Sequence, residues 1–518
     1  MSPHVVVVGG GVSGLAAAHR LRRLLGPAAR ITVVEGSSRL GGKLRTVPLA
    51  GEPFDVGAET FLVRRPEALA LVRELGLESL LVHPTGVPAR LHAGGRSAPL
   101  PTATLLGIPT AATAGLEAVL SPAALARLRA EPAVPLPWAP GGDVAVGELV
   151  ADRLGAEVTA RLVDPLLGGV YAGRAARLGL RATVPALAAT LDALAAAGPV
   201  PSLVAAATRA SGAPVSPVAS SVPNLPATPE ISPPAPSASS TPAGSPASPA
   251  TPASAAVGER AVPVHQGPVF GALRGGMTVL VSALARSAHA DVRLGQPVRV
   301  LSRTATGWRL ELGPVPAPAF LDADAVVLAV PPPALRRLLT PLVPAAAAAV
   351  AGVDVASMAI VSLALPPTVT LPEASGVLVA AGEPLHAKAF TYSGAKWRHL
   401  GGAVLRASVG RHGDERDLQV DDAELVRRVR ADLAELTGIT AEPVDAVVTR
   451  WGGGLPQYAV GHADRVATLR NAIAGQPGLA VAGAFLDGVG IPACVGAADA
   501  AAARVAAHLS ARMGAWHG

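Results

Sequence analysis

Cysteine is almost missing from this 518-residue chain. Cys494 stands alone, so an internal disulfide and any cysteine-ligated zinc or iron–sulfur centre are excluded. Aromatic residues make up only 3%, and lysine is reduced to Lys43, Lys388 and Lys396. The net charge of +6 and the isoelectric point near 10.1 are therefore carried by arginine. That balance admits an anionic substrate or an anionic membrane surface. No dense Arg/Lys run with interleaved aromatics occurs, which argues against nucleic acid as a partner. The longest apolar stretch, residues 345–365, is broken by Gly352 and Asp354 and makes a poor membrane span. The N-terminus lacks a basic region followed by a cleavable apolar stretch, so no signal peptide is expected and a reduced, cytoplasmic setting fits.

What is present is most concentrated at the start. Val5-Val6-Val7-Val8 is a β-branched run suited to a buried strand, and Gly9-Gly10-Gly11-Val12-Ser13-Gly14 follows it. Gly9-x-Gly11-x-x-Gly14 makes a tight turn and opens a helix through Leu15-Ala16-Ala17-Ala18. Such a turn aims a helix N-terminus at a pyrophosphate with little side-chain bulk in the way. A second apolar run, Ile31-Thr32-Val33-Val34, ends in Glu35, where an acid can accept hydrogen bonds from ribose hydroxyls. Strand, glycine turn, helix, second strand and acid in register predict dinucleotide binding.

Half of the residues are apolar, enough for two or more domains with sizeable cores. Helices are expected over 66–82, 121–130, 144–166, 185–210, 422–437 and 496–509, with another starting near Gly275-Gly276-Met277. Strands are expected near 292–294, 298–300, 308–312, 325–330, 358–365, 376–380, 403–409 and 479–483. From Ser211 to Gly258 proline, serine, alanine and threonine dominate, with Glu230 the single charge. Little there can bury itself against the entropy of ordering, so 211–258 reads as a disordered insertion. The dinucleotide domain is expected to be discontinuous, built from 1–62, 262–333 and 446–518. Residues 63–210 and 334–445 are left for substrate-binding and helical regions.

After the second strand, Gly36 leads to Arg39-Leu40-Gly41-Gly42-Lys43, where paired glycines permit close backbone approach and Arg39 and Lys43 offer cations. The glycine turn, Glu35 and Arg39-x-Gly41-Gly42 resemble the FAD-binding opening of the amine oxidase-like flavoproteins. Further stretches resemble one branch of them: Asp55-Val56-Gly57-Ala58-Glu59-Thr60-Phe61-Leu62, Gly169-Val170-Tyr171-Ala172-Gly173, Leu273-Arg274-Gly275-Gly276-Met277, Trp451-x-x-x-Leu455-Pro456-Gln457-Tyr458-x-x-Gly461-His462 and Gly488-Val489-Gly490-Ile491-Pro492-Ala493-Cys494. These are similar to the oxygen-dependent protoporphyrinogen/coproporphyrinogen oxidases, nearest the Gram-positive-type enzymes that use coproporphyrinogen III. Two positions depart from that pattern: Ala58 stands where proline is usual and Ala493 where aspartate is usual.

The resemblance implies an α/β fold, with a Rossmann-like FAD-binding domain assembled from discontinuous segments, an α+β substrate domain and a helical subdomain. It implies FAD held by Gly9, Gly10, Gly11, Val12, Ser13 and Gly14 at the pyrophosphate, and by Glu35 and Gly36 at the ribose. Arg39, Gly42, Lys43, Gly57, Ala58, Glu59 and Thr60 would flank the ribityl and flavin region. Val298 would pair with adenine through its backbone, and Trp451, Gly490, Ile491 and Pro492 would close over the flavin. No metal is implied.

The implied reaction is oxidation of a porphyrinogen with molecular oxygen as acceptor, in haem synthesis. Positioning and desolvation then carry the chemistry, and no residue demands to be a nucleophile. His462 is weighed as a base against a structural histidine. For the substrate carboxylates, Arg64 and Arg65 are the leading contacts, with Arg174, Lys388 and Lys396 behind them. Leu166, Leu167, Val170 and Tyr392 are candidates for an apolar wall. Protoporphyrinogen IX, an amine or polyene substrate, and a flavin-binding scaffold without catalysis stay open as alternatives. So does peripheral contact with a membrane or with a downstream enzyme of haem synthesis.

Overall fold

The parallel sheet expected at the N-terminus is the centre of the molecule. In a computed structural model, which describes residues 2–110, 115–212 and 268–514, five strands lie in the order Asp291–Arg293, Arg30–Val34, His4–Val8, Ala325–Leu328, Leu479–Val481. All neighbours are parallel, with Val5 opposite both Ile31 and Ala325. Parallel neighbours need crossovers, and the chain supplies them from distant stretches. Val5, Val6 and Val7 are fully buried, as a strand covered on both faces requires. Helix Val12–Leu25 packs on this sheet beside helices Thr278–Ala288 and Ile491–Gly514. An antiparallel meander, Val298–Arg303, Trp308–Leu312 and Ala319–Ala323, belongs to the same core, with Trp308 fully buried.

A second, seven-stranded sheet runs Asp445–Pro456, Val355–Ala364, Val404–Val409, Ala387–Thr391, Gly376–Val379, Arg90–Ala93, Arg96–Pro99. Helix Asp422–Thr437 covers one of its faces. The Asp421 side chain caps that helix by accepting from Glu424 N at 2.8 Å, and Gly438 ends it at φ +75°. A third core is mostly helical and gathers residues between Leu91 and Ala210, joined by Ala380 and Tyr458.

Several boundaries differ from those expected. Strand Asp445–Pro456 lies in the second sheet, so a division at 446 cuts through it. Leu71, Val72 and Leu77, and the helices Pro332–Leu339 and Pro344–Ala351, pack into the first core, so divisions at 63 and 334 also misplace residues. The helix expected over 66–82 stops at Glu74, because Gly76 takes φ +70°, and the chain resumes as a short strand at Leu81–Val82. The last helix begins at Ile491, five residues earlier than expected. Of the insertion at 211–258, Ser211 and Gly212 close helix Leu203–Gly212, and the remainder lies outside the described residues.

One buried carboxylate stitches the helical region together. Glu131, 3% exposed, accepts from Arg153 Nε at 3.1 Å and Nη2 at 2.9 Å, and from Leu203 N at 2.7 Å and Val204 N at 3.1 Å. Removing it leaves a buried guanidinium and an uncapped helix start. Glu131→Ala is expected to cost about 3–5 kcal/mol, read as a lower urea midpoint in far-UV circular dichroism. A midpoint equal to wild type would contradict this role.

Candidate functional site

The site grows out of the glycine turn. Gly9 sits at φ +109°, where a Cβ would overlap the Ala329 carbonyl, and a Cβ on Gly14 would overlap Gly9 O. These two glycines let helix and strand meet. Gly11 differs: a Cβ there would find no protein atom nearer than Gly42 Cα at 3.9 Å. That side is open, and the first-turn N–H groups of Val12 and Ser13 have no intrahelical acceptor. Gly11 is the N-cap and brings no capping side chain that would compete.

A backbone ladder extends the turn into a groove. Gly41 N donates to Gly10 O at 2.8 Å, Ala58 N to Lys43 O at 3.1 Å, and Val56 N to Arg45 O at 3.0 Å. Gly57 is as tightly placed as Gly14, since a Cβ would overlap Lys43 O. Trp451 Nε1 donates to Val56 O at 2.9 Å, and the Arg39 guanidinium lies 5.8 Å from the Trp451 ring centre. Lys43 is exposed, yet desolvation pushes its ammonium pKa down.

Glu35 holds the near end. Its Oε2 accepts from Gly10 N at 2.7 Å and its Oε1 from Ser37 N at 2.8 Å. Gln296 N donates to Glu35 O and Gly295 N to Ser37 O, which brings the loop around Gly36 against Pro297 and so beside Val298. Val298 is buried, and its carbonyl accepts from Arg337 Nη2 at 3.2 Å. Gln296 Oε1, buried without a partner among the described residues, is a polar atom that pattern reading missed. The tail returns to the glycine turn. Cys494 reaches Ser13 and lies near Lys43; burial pushes its thiol pKa up while the Ser13 hydrogen bond and the lysine charge oppose that.

Glu59 is anchored rather than free. Lys396 Nζ donates to its Oε1 at 2.6 Å and Arg406 Nε lies 3.3 Å from its Oε2. Burial raises its pKa, but Arg406 and Lys396 outweigh burial and bring it to about 2. Arg406 also donates to Gly57 O at 2.7 Å. Lys396 is thereby taken. Lys388 is buried and donates to Gly410 O at 2.7 Å, with burial and Arg411 pushing its pKa to about 7. Both lysines, expected as further carboxylate contacts, are already engaged by acceptors within the protein. Arg65 pairs with Glu67 at 2.7 Å, whereas Arg64 is exposed and makes no ion pair or hydrogen bond among the described residues. Arg174 is exposed, near Asp164 and Arg411.

The remaining motifs interlock. Gln457 Nε2 donates to Tyr171 O at 2.7 Å, and the Tyr458 ring stacks on His462 at 4.0 Å between centres. His462 is buried, with Nε2 3.4 Å from Leu486 O, so it is a packed structural residue. Leu167 and Tyr392 are core residues, while Leu166 is half-buried and Val170 is 45% exposed.

The model of the flavin containing amine oxidoreductases matches residues 12–506. The chain belongs to this family. Among curated relatives of this amine oxidoreductase, the coproporphyrinogen III oxidase of Mycobacterium tuberculosis is 41% identical over 512 residues, covering 98% of each chain. The coproporphyrinogen III oxidase of Bacillus subtilis is 30% identical over 511 residues, covering 96% of this chain and 97% of its own. A crystal structure from an Exiguobacterium species, provisionally named protoporphyrinogen oxidase, superposes with a TM-score of 0.77 at 28% identity, covering 98% of this chain and 99% of that one. The cofactor is FAD. The open face at Gly11, the uncapped helix start and the desolvated Lys43 fit it.

The turn makes a paired prediction. Gly11→Val should leave a folded protein with near-wild-type melting of the flavin-free form and little flavin absorbance, because only the ligand side is filled. Gly14→Ala should lose both, because the turn itself cannot close. A yellow Gly11→Val protein would refute the assignment of that open face.

Asp55 supplies a pH signature. Its carboxylate accepts from Met277 N at 3.0 and 3.1 Å and from Thr46 Oγ1 at 2.6 Å, yet burial raises its pKa from 3.8 to about 6. A raised folded pKa stabilises below the unfolded value, and that contribution is lost as pH rises through about 6. Thermal melts should therefore show wild type gaining on Asp55→Asn as pH falls from about 7 to about 4. A gap independent of pH would count against this.

Proposed function

We propose that this flavoenzyme oxidises coproporphyrinogen III to coproporphyrin III in haem biosynthesis, with molecular oxygen as acceptor. Six electrons and six hydrogens leave the macrocycle, and three oxygen molecules become three hydrogen peroxides. The observation that carries this reading is full-length relatedness, 41% over 98% of both chains, to an enzyme of that name. A second reading, protoporphyrinogen IX, is favoured by the name attached to the Exiguobacterium structure.

In this proposal Gly9 to Gly14 hold the FAD pyrophosphate, Glu35 and Gly36 the ribose, and Val298 the adenine. Arg39, Gly42, Lys43 and Gly57 to Thr60 line the flavin end, under Trp451 and Gly490 to Pro492. Bound FAD supplies a hydride acceptor that returns its electrons to oxygen. The residues around it orient the macrocycle and exclude water. The first sheet then serves the cofactor and the seven-stranded sheet, with the helical core, serves the substrate. No helix among the described residues is long and apolar enough to cross a membrane. We place the reaction in the cytoplasm, where peripheral contact with a membrane or with the next enzyme of the pathway is compatible with the basic surface.

Arg64, unpaired beside the cofactor-flanking segment, is the proposed carboxylate contact; Arg65 is held back by Glu67. Purified protein should be yellow and should convert colourless coproporphyrinogen III to a fluorescent porphyrin with peroxide release, faster than protoporphyrinogen IX. The reverse ranking would select the second substrate. Arg64→Ala should raise KM for the four-carboxylate substrate about tenfold, as for one lost charge-assisted hydrogen bond, and raise it less for the two-carboxylate one. Equal changes would remove Arg64 from the substrate site.

A further inference from the structure

Outside the cofactor groove is an open cavity of about 690 Å³, bounded by Leu81 to Thr85, Arg274, Arg398 and His399. Its lining holds two guanidiniums and two imidazoles and no acid. Arg153, Arg181 and Arg309, by contrast, each pair with a carboxylate. Arg274 and Arg398 are exposed, and the side chain of neither makes an ion pair or hydrogen bond among the described residues. Two unpaired cations lining one cavity raise a local positive potential that attracts an anion. His399 reports it: burial and the charge of Arg274 push its pKa down.

The walls are built, not loose. Arg274 N donates to Leu80 O at 2.8 Å, next to the pairing of Leu273 with Leu81. Thr85 is tied to the turn before Arg398, its N donating to Lys396 O and its Oγ1 to Ala395 O, both at 2.9 Å. His83 Nδ1 is held at 2.9 Å from Phe270 O. Leu81, Val82 and Pro84 are only half-buried and give the cavity an apolar side. A cation pair facing an apolar wall suits an amphiphile, a flat apolar body with carboxylates at its edge, better than a small hydrophilic anion. A narrow cleft adjoins the cavity through His399 and reaches Asp55 and Glu59, in the segment that flanks the cofactor groove.

We propose that this cavity is a second, non-catalytic site for a carboxylate-bearing tetrapyrrole, in which Arg274 and Arg398 hold the carboxylates and Leu81 to Pro84 cover the ring. It rests on the substrate reading above for the identity of the tetrapyrrole. It gives Arg274, part of the Leu273 to Met277 motif, a role that cofactor binding does not require.

The test uses the full-length, FAD-loaded protein and coproporphyrin III as the probe, with bound equivalents measured by equilibrium dialysis and fluorescence titration. Wild type should bind a second equivalent that the Arg274→Ala/Arg398→Ala double variant has lost or binds about tenfold to hundredfold more weakly. Flavin content and kcat at saturating coproporphyrinogen III should stay near wild type, and Arg274→Lys/Arg398→Lys should restore part of the binding. Unchanged binding in the double alanine variant, or a single equivalent in wild type, overturns the proposal. Citrate that displaces the second equivalent at comparable concentration overturns it in favour of a small polycarboxylate site. Turnover without a second equivalent sinks this site and leaves the proposed function intact. Absent turnover with an arginine-dependent second equivalent sinks the function and leaves the site.

Discussion

The arrangement of the site hangs on one buried ion cluster. Glu59 sits at the end of the groove-lining segment, while Lys396 and Arg406 come from the seven-stranded sheet and the turn before it. A carboxylate 8% exposed would be costly to ionise by itself, and two cations are needed to hold it charged. Because Arg406 also binds the backbone at Gly57, the cluster sets the position of the segment as well as its charge. The spacing between the cofactor groove and the second sheet is thus fixed by electrostatics that cannot be relaxed one residue at a time.

The groove itself is made of backbone. Gly9, Gly14 and Gly57 are sites where chain meets chain without room for a side chain, and Gly11 is the one whose free side faces outward. The same residue type therefore does two jobs within six positions. Close packing at two of them determines the turn, and the vacant direction at the third leaves amide groups accessible to a phosphate.

Much of this was legible beforehand for physical reasons. Val5 to Val8, the glycine spacing and Glu35 form one local unit, so sequence neighbours report spatial neighbours. The strands near 308–312 and 376–380 and the helix at 422–437 were equally visible, because each carries its own periodicity and stops. Strand Asp445–Pro456 was not, since Gly452, Gly453 and Gly454 interrupt it, and only the pairing of Asp445 to Trp451 and of Leu455 and Pro456 with Val355–Ala364 carries the strand across that bulge. Lys396 was a candidate carboxylate contact because its partner, Glu59, lies 337 residues away and no local pattern shows the pairing. The unpaired state of Arg274 and Arg398 is likewise a property of three distant segments meeting. Local pattern identifies elements and the cofactor turn; partnership between charges needs the fold.

The contact between Ser13 and Cys494 has a consequence in time. The glycine turn is synthesised long before the segment that closes on it. The central sheet also waits, because Ala325–Leu328 and Leu479–Val481 must arrive to flank His4–Val8. Such long-range parallel pairing is slow and exposes apolar edges meanwhile. A nascent chain therefore carries a complete nucleotide fingerprint without a complete nucleotide pocket, and cofactor capture becomes an event that follows translation rather than one that guides it.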